Sequence, residues 1–118
     1  MAKFMFVYRN GEAPQSEPSP EEMQQALQVW MEWIEKGSKE GWMVDGGDAL
    51  VPQGVTIGPD LAVTDGPFAE TKELVSGYSI VEAADFAAAT EYAKTSPMIT
   101  VHKGFVEVRQ LAEFDGEG

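Results

Sequence analysis

Val63-Thr-Asp-Gly-Pro-Phe-Ala-Glu-Thr-Lys-Glu73, with Gly77-Tyr78 just beyond it, is the most distinctive run of the chain. Asp65-Gly66-Pro67 interrupts both helix and strand. Gly66 tolerates positive φ, Pro67 fixes its own φ, and Asp65 can bond the backbone two residues on. Phe68 then places an aromatic ring in a loop, beside Glu70, Lys72 and Glu73. An isolated turn needs none of these side chains. A loop packed on a partner subunit or a ligand uses such a ring as an anchor and the charges as a rim. Glu70 and Lys72 are equally compatible with solvated positions.

Working outward, Val55-Thr-Ile57 and Leu61-Ala-Val-Thr64 flank Gly58-Pro59-Asp60, which predicts a small hairpin. Trp42-Met43-Val44 predicts a short strand running into the acidic turn Asp45-Gly46-Gly47-Asp48. Downstream, Leu74 to Glu82 predicts a strand with Gly77 inside it. Asp85 is placed to cap an alanine-rich helix over Phe86–Lys94, which Ser96-Pro97 ends. Phe105–Leu111 is the last strand, and residues 114–118 form a frayed tail to a single domain over 1–113.

At the other end, Phe4 to Tyr8 is apolar on both alternating faces, so this first strand needs cover on both sides. Residues 10–20 form a proline-bearing loop, a candidate pocket rim. Ser19-Pro20-Glu21-Glu22 opens a helix with a capping box and proline at the first helical position. Met23, Ala26, Leu27, Trp30, Trp33 and Ile34 then recur at helical spacing, and Gly41 stops the helix. The order strand–helix–strand, hairpin, strand–helix–strand predicts an α+β fold of ferredoxin-like kind, with two helices on one face of an antiparallel sheet. Two helices cover one face only. A second copy, related by a two-fold axis, is the simplest cover for the other.

Composition excludes several functions. There are no cysteines, so disulfides, thiolate metal sites and thiol nucleophiles are absent. With one histidine and no EF-hand spacing, no metal site is expected. No Gly-rich phosphate loop or Ser–His–Asp set is present, and no cofactor is called for. Twenty acidic residues against eight basic give a net charge of −12, which disfavours nucleic acid and anionic lipid. No apolar run reaches the ~20 residues of a membrane helix. The N-terminus reads as a strand rather than a signal peptide, so a cytoplasmic location is expected.

The Asp65-Gly66-Pro67-Phe68 loop resembles that of the YCII-related, DGPF-type family. The resemblance extends from the Phe4–Tyr8 strand through Pro20–Met23, Trp30, Val44-Asp45-Gly46-Gly47 and Gly77-Tyr78 to Val106–Arg109. It implies a dimeric α+β barrel, in which the sheets of two copies face each other. Related proteins carry a His–Asp acid–base pair with the histidine in the first helix region. Here that helix has no histidine, and the family's Gly-Gly-Tyr step is Ser76-Gly77-Tyr78. The resemblance also implies a link to sigma-factor-like genes, hence a regulatory alternative.

Four residues are candidates for acid–base chemistry: Asp45, Asp65, Tyr78 and His102. Asp45 reads as a general base or substrate anchor, or as a turn aspartate bonding Gly46 and Gly47; Asp65 has the same two readings. Tyr78 offers a hydroxyl to a cavity or sits satisfied in a core or interface. His102 is an acid or base, or a solvent-exposed loop residue. Candidates for ligand binding are Arg9, Trp30, Gly46, Gly47, Phe68, Glu70 and Lys72. Trp30 also reads as core, and Arg9, with Arg109, either binds an anion or pairs with Glu107. The expected function is a homodimer binding a small organic molecule, with elimination or isomerisation as the chemistry. The alternative is a non-catalytic module acting through a protein partner.

Overall fold

The computed structural model describes residues 1–11, 16–66 and 74–114. Phe68, Glu70 and Lys72, and the tail beyond residue 114, lie outside the described residues. The fold is α+β. Strand β1 (Ala2–Arg9) leads to helix α1 (Pro20–Glu40), then β2 (Met43–Asp45), β3 (Val55–Ile57), β4 (Val63–Asp65) and β5 (Val75–Ala83). Helices α2 (Phe86–Lys94) and α3 (Pro97–Thr100) precede β6 (Phe105–Gln110).

Four strands form one antiparallel sheet in the order β2-β5-β1-β6, and β3 and β4 pair as a separate hairpin. The sheet is open, with β2 and β6 at its edges; among the described residues one chain closes no barrel.

Alternation along β1 divides its side chains between the two faces. Phe4, Phe6 and Tyr8 are buried, and register places them beside Val81, Ser79 and Gly77 of β5. Trp33, Ala89, Ala93 and Met98 cover this side from the helices. Met5 and Val7 pair with Ile80 and Tyr78 on the other side, which no helix covers. The 20 Å short dimension is that of one sheet and one helix layer.

The helices begin and end where the sequence places their caps. Ser19 Oγ accepts from Glu22 N at 3.1 Å, and Ser19 N donates to Glu22 Oε1 at 3.0 Å, closing the capping box. At the far end Gly41 adopts φ +90° and its N–H reaches Gly37 O at 2.9 Å. Asp85 caps α2 through Ala88 N at 2.9 Å. One expectation needs correction. Ser96-Pro97 does not simply end α2: Ser96 Oγ accepts from Met98 N at 3.1 Å and caps a third helix, with Pro97 at its first position. The sheet face therefore carries three helices, not two. Between β2 and β3 the chain meets β5 through an isolated bridge, Ala49 to Gly77. No helix among the described residues is long and apolar enough to cross a membrane.

Candidate functional site

A shortage of side-chain bulk on β5 seats the chain segment that walls the site: a Cβ at Gly77 would lie 2.7 Å from Asp48 O. On the helix-facing side of β5 stand Gly77 and Ser79, where Val81 and Ala83 fill the space farther along. Beside them, Gly46 to Leu50 runs along β5, held by Leu50 N to Ser76 O at 2.7 Å and Tyr78 N to Asp48 O at 3.3 Å. Helix α1 crosses above with Leu27, Trp30 and Ile34, and the α3–β6 turn closes one end with His102 and Lys103. The enclosed space is an open-mouthed cavity of about 990 Å³, within the usual range for a small-molecule site.

Tyr8 forms its floor. The phenol donates to Ser79 Oγ at 2.7 Å, and Ser79 Oγ donates on to Gly46 O at 2.8 Å. This buried chain ties β1, β5 and the turn after β2 together. Burial pushes the Tyr8 hydroxyl up to about 12, against smaller opposing contributions from Ser79 and Ser96. Tyr8 is a neutral donor at any physiological pH.

Trp30 and His102 form the wall above it. The indole N–H donates to His102 Nε2 at 2.9 Å, and the two rings stack at 6.1 Å and 26°. Indole nitrogen only donates, so His102 Nε2 is unprotonated and the neutral ring carries its proton on Nδ1. Partial burial lowers the His102 pKa below its ordinary value, in the same direction. The Tyr8 ring meets Trp30 edge-on at 5.0 Å, and Trp33 meets it at 5.9 Å. An aromatic scaffold therefore fixes the one histidine of the chain at the cavity.

The residues singled out in the sequence fall into three groups. His102, Trp30, Gly46, Gly47 and Tyr78 all border the cavity. Tyr78 does so at the sheet edge; its register with Val7 puts its side chain on the helix-free face, opposite Tyr8. Asp45 and Asp65 are exposed. The Asp45 carboxylate accepts from Gly47 N at 2.8 Å, the geometry of a turn aspartate, and Asp65 ends β4 opposite Val55 on the hairpin. Arg9 forms an ion pair with Glu107 on the helix-free face, and Arg109 reaches the same carboxylate at 3.4 Å. The hydrogen bond from Arg9 is the main cause of the lowered Glu107 pKa.

Sequence reasoning passed over Tyr8, Ser79 and Asp48. The signal for the first two lies in register. Small residues at alternate positions 77 and 79, facing the large ones of β1, mark where another chain segment can lie close to the strand. Asp48 borders the cavity, and only its backbone carbonyl has a role in pairing. Glu22 also borders it, but its carboxylate is engaged by Ser19 N. Among the described residues no cluster of three His, Asp or Glu side chains is arranged to hold a metal.

A family model described as the YCII-related domain matches residues 2–115, nearly the whole chain. No curated protein matches it.

Proposed function

The chain belongs to the YCII-related domain family, and from that footing we propose that it is a ferredoxin-like homodimer binding a small, ring-bearing organic molecule between α1 and β5. The observation that carries the reading is the Trp30–His102 pair in the wall of a cavity of about 990 Å³. Leu27, Trp30, Ile34 and Met98 supply apolar contact, and Tyr8 closes the floor. His102 is the proton-exchanging group: its Nε2 takes a proton from a bound molecule by giving up the hydrogen bond from Trp30, as elimination or isomerisation would require. Asp48 is the carboxylate at the same cavity that would accompany it. The ferredoxin-like assignment is supported by the strand order and by helices confined to one face. The homodimer is supported by the apolar strip Met5, Val7, Tyr78 and Ile80 on the other.

The test is a thermal-shift and tryptophan-fluorescence screen with small aromatic acids, amines and neutral heterocycles. Binders should raise Tm and change Trp30 emission. Ala49→Trp, at an exposed position on the cavity wall, should abolish both responses. A panel without any binder, or shifts undiminished in Ala49→Trp, refutes the reading. The regulatory alternative has no counterpart in the geometry of the cavity; a stoichiometric protein partner recovered from native lysate would favour it.

A further inference from the structure

We propose that the β3–β4 hairpin is an arm that lays its apolar face on the β6 side of a second copy's helix-free sheet face. The inference rests on the homodimer reading and adds to it a named element and its landing place.

The hairpin is unfinished in one chain. Register puts Val55, Ile57 and Val63 on one side, with Asp65 opposite Val55, and the three apolar residues are 61%, 62% and 63% exposed. Its two strands pair with each other and, among the described residues, pack substantially on no other element. A lone two-stranded hairpin is marginal in water, so three β-branched side chains gathered on one face call for a covering surface.

Two observations favour a second copy of this chain. The first is charge. From Gly41 to Gly66 the chain has four aspartates and no basic residue. The β1–β6 half of the helix-free face runs the other way: Lys3, Arg9 and Arg109 stand there against Glu107, while Glu82 and Asp45 lie on the β5–β2 half. In a chain of net charge −12 this half of the face is a local exception, and an acidic arm suits it. The second is topology. The hairpin lies on the chain's route from the edge strand β2 to β5. When two such sheets face each other across a two-fold axis parallel to their strands, the β2 edge of one stands over the β6 edge of the other. There Phe105 is 60% exposed and the Arg109 side chain 70% exposed. The apolar hairpin side meets Phe105, and Asp65 meets Arg109.

Sedimentation equilibrium of the full chain tests this with Ile57→Glu, Asp65→Lys, Arg109→Asp and the double variant Asp65→Lys/Arg109→Asp. None of these positions is in the buried core, and far-UV circular dichroism verifies folding. Each single variant should weaken the dimer by about tenfold or more, and the double variant should recover most of the loss. Because the chain has no cysteine, Ile57→Cys and Phe105→Cys, mixed and mildly oxidised, should cross-link one copy to another. A monomeric wild type overturns the homodimer reading and the arm together. A dimeric wild type whose dissociation constant is unmoved by the single variants, or unrestored by the charge exchange, overturns the arm alone.

Discussion

Replacing Gly47 by alanine separates two costs that glycine spares the chain, and the structure predicts how much of each. Gly47 has φ +77°, and a Cβ there would lie 1.7 Å from Tyr78 O and 2.6 Å from Tyr78 C. The backbone angle alone costs about 1 kcal/mol for an L-residue. The clash with backbone cannot be relieved by turning a side chain, so Gly46–Leu50 must lift from β5. Lifting breaks the Leu50 N to Ser76 O bond of 2.7 Å and the Tyr78 N to Asp48 O bond of 3.3 Å, about 1 kcal/mol each. The total is about 3 kcal/mol, or a Tm lower by about 12 °C at about 4 °C per kcal/mol for a chain of this size. Gly41 is the matched control. It has φ +90° and nothing within 4 Å of a built Cβ, so Gly41→Ala should cost the angle alone, about 1 kcal/mol. Thermal unfolding of both variants by circular dichroism decides the matter. Equal losses would refute the close seating of this segment on β5, and with it the shape of the cavity wall.

Further predictions follow from the caps and the titrating groups. Ser19→Ala removes the acceptor for Glu22 N and should lower stability by about 1 kcal/mol, measured by urea unfolding. In a phenolate absorbance titration one tyrosine should ionise near 12, and Tyr8→Phe should remove that step. Because the unfolded phenol ionises near 10, stability from Tyr8 is full below that pH and is lost as pH rises towards 12. His102 behaves in the opposite sense. The unfolded imidazole takes its proton near 6.5, the folded one only at lower pH, so stability declines as pH falls from about 6.5 through the folded value. Protonation also ends the hydrogen bond from Trp30. Tryptophan emission should therefore change over that acid window, and His102→Gln should remove the change.

The fold was largely legible because its boundaries are set by local chemistry. The capping box at Ser19, the glycine stop at Gly41, and the Asp85 cap are short-range features, and each appears where the sequence puts it. The apolar run of β1 told that two faces need cover, because alternation is a property of the strand itself. Ser96-Pro97 misled because it both stops one helix and starts another; which of these follows depends on Met98 reaching the core. The site was less legible. Asp45 drew attention as an acid, yet its carboxylate closes a turn onto Gly47. His102 looked like an isolated loop residue, and only the fold brings Trp30, 72 positions away, to its ring. A contact of that separation leaves no periodicity in the sequence.

One short segment connects the cavity to the hairpin. Gly46 to Leu50 forms one cavity wall, and Gly46 O ends the chain of hydrogen bonds from Tyr8. After Val51–Gly54 the chain enters β3, and Gly66 N returns to Gly54 O at 2.7 Å, closing the base of the hairpin. The cavity wall and the arm are thus separated by four residues. An arm seated on a second copy restrains that wall, and a ligand resting on Asp48 and Ala49 restrains the base of the arm. Binding and association that bias the same segment must affect each other by equal free energies. Gly46, Gly47 and Gly77 let this wall sit close against Ile34 and β5, and the first two give it no side chain of their own to hold it. Its position then depends on the hydrogen bonds to β5 and on whatever the hairpin rests against.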